Sequence, residues 1–399
     1  MPPPPPAPLE PALPPQQAPQ QLPLLVIGIP SMRREGDADY LLRTLGYLLA
    51  QTATGGSGLA APGGASDVPG PYPLRLRVLA MDNSRQPGAH AAFEAAVARY
   101  CRGAGGGSGA PSAAALGPCA TAQLGAHTAF HAPGSLLTLA WNGQPRAGDG
   151  EDAGTDNEPG ARVRAQSRDV VELLELAHAL FPPAANASAA GQQQQQQQQQ
   201  QGGETYYMFL EDDFRVCDSG LRALALALAR ARVLHAPAAG DWNAMRVSYG
   251  LNGAILRGSD VPVFAGYLAR HLPRRPPDHL LVEWFAGERA ESAAAKGGRA
   301  HLAFRYNVLE HFGAASSLRG KAAPLYAVCY EELSERVVFE VEAFKAWACG
   351  HDVLWPCWGA GDARYGAAAL PSAEAAGIDF AALAAAGVAG SVQTYAMQG

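Results

Sequence analysis

The stretch that most constrains this chain is Thr205 to Phe214, TYYMFLEDDF, in which an unbroken apolar, aromatic-rich run passes directly into Glu211, Asp212 and Asp213. A run of this kind after a glycine pair, Gly202-Gly203, reads as a strand buried on both faces of a parallel sheet. In open α/β sheets the ligand crevice lies beyond the carboxyl ends of the strands, which is where the three carboxylates would emerge. Adjacent carboxylates repel one another, and a hard divalent cation such as Mg²⁺ or Mn²⁺, shared with a phosphate, holds them ionised. A second reading is a polar strand end leading into acids at a helix N-terminus. The triplet alone leaves both open.

Around this stretch, strand and helix patterns alternate. Leu22 to Ile29 is a short apolar run closed by Pro30, and Leu41, Leu42, Leu45, Leu48 and Leu49 then fall at helical spacing behind Asp37 and Asp39. The turn between them carries Arg33-Arg34, either solvated loop charges or a clamp for an anionic ligand. Leu74 to Met81 reads as a second strand ending in Asp82-Asn83-Ser84, followed by a helix over Ala89 to Tyr100. An acid at the end of an early strand is either a plain loop acid or a contact to a nucleotide sugar. In SRDVVELLELAHALF the apolar residues keep helical spacing and Ser167 is the candidate N-cap. Gly220 to Leu234 reads as a helix, Asn243 to Tyr249 as a strand, and Gly250-Leu251-Asn252-Gly253 as a turn whose glycines permit a close backbone approach. Asp278 to Gly287 is a helix with Asp278 and Glu283 as its carboxylates. This alternation predicts an α/β fold with a mixed, mostly parallel sheet flanked by helices.

At 399 residues the chain is long enough for a substantial core, but not all of it has folding composition. Residues 1–21 form a Pro/Gln-rich tail, and segments near 55–70, 103–165 and 186–203, the last with an uninterrupted glutamine run, read as disordered insertions. The folded domain is expected over 22–321, with 322–399 as an extension of uncertain structure. The formal net charge is −6, from 30 basic and 36 acidic residues, without a basic block, which argues against a nucleic-acid surface. Six cysteines without a C-x-x-C pair give no support for structural zinc and leave disulfides open. No apolar run approaches the roughly 18 residues of a membrane span, and no secretory signal is legible. The sequon Asn186-Ala187-Ser188 reads as a chance match. Neither G-x-G-x-x-G nor a P-loop is present, so neither dinucleotide dehydrogenase nor P-loop chemistry is indicated.

A second informative block is FRYNVLEHFGAASSLRGK, Phe304 to Lys321. It offers the His311 imidazole for a metal, or as an ordinary structural hydrogen-bonder, beside a basic, glycine-flexed loop suited to phosphate.

The order IGIPSMRR, YLLRTLGYLL, SRDVVELLELAHALF, YYMFLEDDF, PDHLLVEWF and EHFGAASSLRGK resembles glycosyltransferases of the N-acetylglucosaminyltransferase IV type, and more distantly the GPI-anchor N-acetylgalactosaminyltransferase. The resemblance runs with gaps from Leu22 to Lys321. It implies a GT-A fold, a UDP-sugar donor, Mn²⁺ or Mg²⁺, a glycoprotein or glycolipid glycan acceptor, transfer with inversion, and residence in the Golgi or another secretory compartment. Membrane association would need a segment not visible in this sequence. Glu211, Asp212 and Asp213 would be the acidic DXD-type triplet, with Asp213 the direct metal ligand, helped by Glu211, and His311 a further metal or phosphate contact. Pro30, Arg33, Arg34 and Asp82 would lie around the nucleotide, and Gly250 and Gly253 near the donor sugar. Arg319 and Lys321 would flank the leaving diphosphate. Glu283, or failing it Asp278, would be the base on the acceptor side. The sugar transferred is expected to be N-acetylglucosamine, with N-acetylgalactosamine or galactose transfer, or a non-catalytic glycan-binding role, as alternatives.

Overall fold

The structure is a computed structural model, and it describes residues 22–33, 39–52, 67–68, 70–101, 119–131, 135–144, 159–183, 204–235, 241–313, 328–333, 345–366 and 370–387. Arg34, Arg319, Lys321, the sequon and the glutamine run lie outside the described residues.

The described elements form an α/β fold built on one large mixed sheet. Its strands are β1 (Leu24–Ser31), β2 (Arg75–Asp82), β3 (Ala120–Leu124), β4 (His127–His131), β5 (Leu137–Asn142), β6 (Thr205–Phe209), β8 (Trp242–Arg246), β9 (Ala254–Arg257), β10 (Ala300–Phe304) and β12 (Leu354–Trp355). They lie in the order β12-β10-β8-β9-β6-β1-β2-β5-β4-β3. β6, β1, β2 and β5 run parallel in succession, and β10 runs parallel to β8, while β9 enters antiparallel between β6 and β8. The central strand therefore has one parallel and one antiparallel neighbour, because the turn after β8 folds β9 straight back beside it. A separate two-stranded ribbon pairs β7 (Phe214–Val216) with β11 (Leu309–His311) in antiparallel register, His311 opposite Phe214.

Helices cover both faces. α1 (Tyr40–Ala50), α2 (Ala91–Tyr100) and α4 (Gly220–Leu234) pack into one apolar cluster with Leu25, Ile27, Tyr206 and Met208 of the sheet. On the opposite face α3 (Ala161–Leu180), α5 (Val261–His271) and α6 (Pro277–Ala286) pack into a second cluster with Val26, Tyr207 and Phe209. Every residue of β6 is buried, as expected of a strand between two helical layers. A short α7 (Ala290–Lys296) leads into β10.

Several boundaries differ from expectation. Pro30 does not end β1, which continues through Ser31 opposite Asp82. The Gly28 carbonyl accepts the Leu210 N–H, so strand alternation turns the Pro30 nitrogen to that same side. Pairing with β6 has stopped there, at Gly28 opposite Phe209, and the missing N–H costs no ladder bond. Ser167 is not a cap: α3 begins at Ala161, and the Ser167 hydroxyl donates back to the Val163 carbonyl at 3.0 Å.

The supposed insertion at 103–165 holds β3, β4, β5 and the start of α3. The hairpin β3–β4 is short and half-exposed at the sheet edge, so its sequence lacks a buried-strand pattern, whereas the LTLAWN run of β5 carries one. Position 321 is no structural boundary either. β12 pairs with β10, Ile378 and Phe380 join the first apolar cluster, and the Arg230 guanidinium on α4 holds Asp352 at 2.8 Å. All six cysteines are paired, Cys101 with Cys119, Cys217 with Cys329 and Cys349 with Cys357. Among the described residues no helix is long and apolar enough to cross a membrane.

Candidate functional site

The triplet leaves β6 in a tight turn and becomes β7 at Phe214, so the three carboxylates sit at the C-terminal edge of the sheet. Each is fixed by a different part of the chain. The Ser31 hydroxyl at the end of β1 donates to Asp212 Oδ2 at 2.6 Å, a contact spanning 181 residues of sequence. Asn252 grips Glu211 twice: its Oδ1 accepts the Glu211 N–H at 2.7 Å and its Nδ2 donates to Glu211 Oε2 at 2.9 Å. Gln166, in the second turn of α3, reaches Glu211 Oε1 at 3.4 Å. His311 Nε2 lies 3.2 Å from Asp213 Oδ2, and the Phe312 N–H donates to the Asp213 carbonyl at 3.0 Å.

Local sequence explains how these groups arrive. The turn Gly250 to Gly253 holds both glycines at positive φ, 63° and 70°, where a side chain is strained. At Gly253 a Cβ would also fall 2.9 Å from the Ser248 backbone nitrogen, and its own N–H donates to Phe209 at the end of β6. The turn thereby delivers Asn252 to Glu211. Gly313 serves a comparable purpose on the other side, where a Cβ would fall 2.5 Å from Asp213 Oδ2. From below, Thr44 of α1 has its hydroxyl 2.7 Å from the carbonyl oxygens of both Asp212 and Phe214.

The expected site residues divide into those this geometry gathers and those it does not. Glu211, Asp212, Asp213, His311, Gly250 and Gly253 belong to one neighbourhood, with Pro30 one residue from Ser31. Arg33 is exposed at the exit of β1. Asp212, the middle acid of the triplet, is 2% exposed and accepts from Ser31, so it anchors the turn. Asp82 ends its strand beside Ser31 but holds its own turn: it accepts the Ser84 N–H at 3.0 Å and hydroxyl at 2.8 Å and meets His90 Nδ1 at 3.0 Å. That carboxylate is committed to the start of α2 and is not an open contact for a sugar hydroxyl.

Glu283 is the clearest correction. It is 1% exposed inside the joint of α5 and α6, where it accepts from Tyr267 and from both ends of the Arg274 guanidinium, with Arg275 at 3.0 Å. Burial pushes its carboxyl pKa up from the ordinary value, and the two guanidinium groups are its ionic partners. A carboxylate so enclosed holds two helices together and has no face left for a substrate hydroxyl. Asp278, half-buried in the first turn of α6, accepts the N–H of His279 at 2.9 Å and no other side-chain or backbone donor among the described residues, so it keeps acceptor capacity. Neither acid is hydrogen-bonded to the triplet among the described residues.

The sequence reading missed Ser31, Thr44, Gln166 and Asn252 as partners of the triplet. Only Asn252 carried a signal, as the polar residue between two turn glycines. A second polar network lies nearby at the ends of β2 and β5, where Arg85, at φ 63°, binds Asp169 and Glu172 of α3, and Asn142 donates to Asn83 at 2.9 Å.

The donor chemistry of the site suits a hard divalent cation. Asp213 Oδ2 and His311 Nε2 supply one carboxylate oxygen and one imidazole nitrogen, while Glu211 is turned toward Asn252. Among the described residues no three His, Cys, Asp or Glu side chains form a ready-made cage. The pair could supply two of the ligands that such a cation would need. No protein-family model matches the chain, and no curated protein matches it either.

Proposed function

We propose that the chain is a metal-dependent GT-A glycosyltransferase of the N-acetylglucosaminyltransferase IV type, transferring a sugar, N-acetylglucosamine in this reading, from a UDP-sugar to a glycan acceptor with inversion. The observation that carries the reading is the meeting of His311 with Asp213 at 3.2 Å, across 98 residues of sequence, at the carboxyl end of a central buried strand. That is the position where open α/β sheets take phosphate-bearing ligands.

In this reading Asp213 and His311 hold Mn²⁺ or Mg²⁺, with Glu211 supporting from its place against Asn252. A divalent cation bound there would offset the charge that develops on a departing nucleoside diphosphate. Asn252, Gln166 and Ser31 keep the carboxylates oriented before substrate arrives, so little reorganisation remains for the reaction. Asp278, at an accessible helix start, is the base that takes the acceptor hydroxyl proton, in place of the enclosed Glu283. The three disulfides support a home in an oxidising, secretory compartment.

Calorimetric titration with UDP in the presence and absence of Mn²⁺ tests the reading. Binding of UDP that depends on Mn²⁺ is expected, and UDP binding indifferent to metal would defeat it. A panel of nucleotide sugars, scored by release of UDP, then identifies the donor.

A further inference from the structure

In the ribbon that carries His311, β7 and β11 pair only with each other among the described residues, and the ribbon joins the large sheet through the apolar cluster that takes in Phe214, Val216 and Leu309 and through the Val308 N–H, which donates to the Val247 carbonyl at 3.1 Å. α1 supplies a second hold. Its residues Tyr40, Arg43, Thr44 and Tyr47 are three or four positions apart and so form one stripe along the helix. Thr44 meets the carbonyls of Asp212 and Phe214 on the β7 side, as described above. The other three residues of the stripe enclose Phe312. The Arg43 guanidinium carbon stands 4.3 Å from the centre of the Phe312 ring, and the Tyr40 and Tyr47 rings meet it edge-on at 5.8 and 6.1 Å.

Phe312 is thus held by α1 through its ring and by Asp213 through its backbone N–H. Its two neighbours also meet Asp213, His311 through Nε2 and Gly313 through a backbone approach that leaves no room for a Cβ. Three consecutive residues line Asp213, and the middle one carries the grip on the helix. Apolar burial alone accounts poorly for this arrangement, because two of the three cage residues stand at the surface: Tyr47 is 37% exposed and Arg43 is exposed, while Tyr40 is buried.

We infer that Phe312 is a positioning residue: its cage on α1 sets the placement of His311 and Gly313 against Asp213, and through it the affinity of the Asp213–His311 pair for a divalent cation. This rests on the reading that the pair holds a metal.

The test is calorimetric titration of the full chain with MnCl₂ in saturating UDP, with a thermal unfolding scan on each variant. Phe312→Ala is expected to weaken Mn²⁺ binding roughly 10–100-fold, the usual effect of removing an outer-shell support. The double variant Arg43→Ala/Tyr47→Ala alters only exposed side chains, so it carries the test if Phe312→Ala does not fold, and it is expected to weaken binding in the same direction. Leu49→Ala, on the core side of the same helix, is expected to lower the unfolding temperature and leave Mn²⁺ affinity unchanged. Folded Phe312→Ala or double-variant protein with wild-type Mn²⁺ affinity overturns the inference and leaves the metal site standing. An equal loss of affinity in Leu49→Ala also overturns it, by showing a global effect. Wild-type protein that binds UDP without any Mn²⁺ dependence overturns the metal reading itself, and the inference with it.

Discussion

Two regions of this molecule bury carboxylates among hydrogen-bond donors, and they are built in opposite ways. At the joint of α5 and α6, Glu283 takes its partners from nearby sequence, Arg274 nine residues away and Tyr267 sixteen, and two guanidinium groups balance its charge in place. At the end of β6 the partners come from far along the chain: Ser31 across 181 residues, His311 across 98 and Asn252 across 41. The first is a local clamp that any pair of packed helices can carry. The second requires β1, β6, the turn before β9 and the ribbon strand β11 to be in register together. The local clamp serves the fold, and the distantly assembled carboxylates stand at the sheet edge where the proposed function puts its ligand.

Substitutions can break this contrast. Asp213→Ala is expected to abolish Mn²⁺-dependent sugar transfer while the circular dichroism spectrum stays that of the native protein, and residual metal-dependent transfer would remove Asp213 from the centre of the site. Asp278→Asn is expected to lower kcat by roughly 10²–10⁴-fold, the range for loss of a positioned base, with UDP affinity retained. Glu283→Gln should behave in the reverse manner. Disrupting a buried ion pair costs about 3 kcal/mol or more of stability, and each folded molecule keeps its turnover; a folded Glu283→Gln enzyme with collapsed kcat would restore Glu283 as the base. In Gly313→Ala the new methyl group must displace the Asp213 carboxylate, and a loss of roughly 10–100-fold in Mn²⁺ affinity follows. Unchanged affinity would show that the close approach of Gly313 plays no part in the site.

The smallest effect concerns pH. Burial, helped by Arg364, lowers the His235 pKa to about 4, against the opposing pull of Asp352 and Asp241. Desolvation, helped by Arg246 and Lys296, also lowers that of His301 well below its ordinary value. An imidazole whose folded pKa is depressed contributes stability that is fully present above the unfolded value near 6.5. That stability is lost as pH falls from there through the folded pKa, at up to about 1.4 kcal/mol per pH unit for each histidine. Unfolding temperatures measured between pH 7 and pH 4 should therefore decline, and His235→Leu should flatten the decline. A slope unaltered by that substitution would assign the acid sensitivity elsewhere.

Much of the framework was legible in the sequence alone. The apolar runs that became β1, β2 and β6, the leucine periodicity of α1 and α4, and the carboxylate triplet at a strand end all followed from spacing and burial. Hidden from that reading was whatever depends on a neighbour distant in sequence. Pro30 looked like a terminator because sequence alone cannot reveal that β6 stops two residues earlier on the side its nitrogen faces. The hairpin β3–β4 looked like insertion because an exposed edge has no need of alternating apolar residues. Ser167 looked like a cap because a serine before an apolar run can cap a helix or bond back within one.

The same division holds for the site. By itself the sequence determined that three acids would leave a buried strand together, that two turn glycines would permit a tight loop, and that a histidine would stand two residues before a glycine. These are properties of residue type and local backbone. Only the tertiary structure decided which acid meets the histidine, that Asp212 and Asp82 hold turns, that Glu283 belongs to a clamp, and that Phe312 is gripped by α1. Those outcomes depend on which side chains reach one another once the sheet and its two helical layers are closed, and that distance is written in no single stretch of the chain.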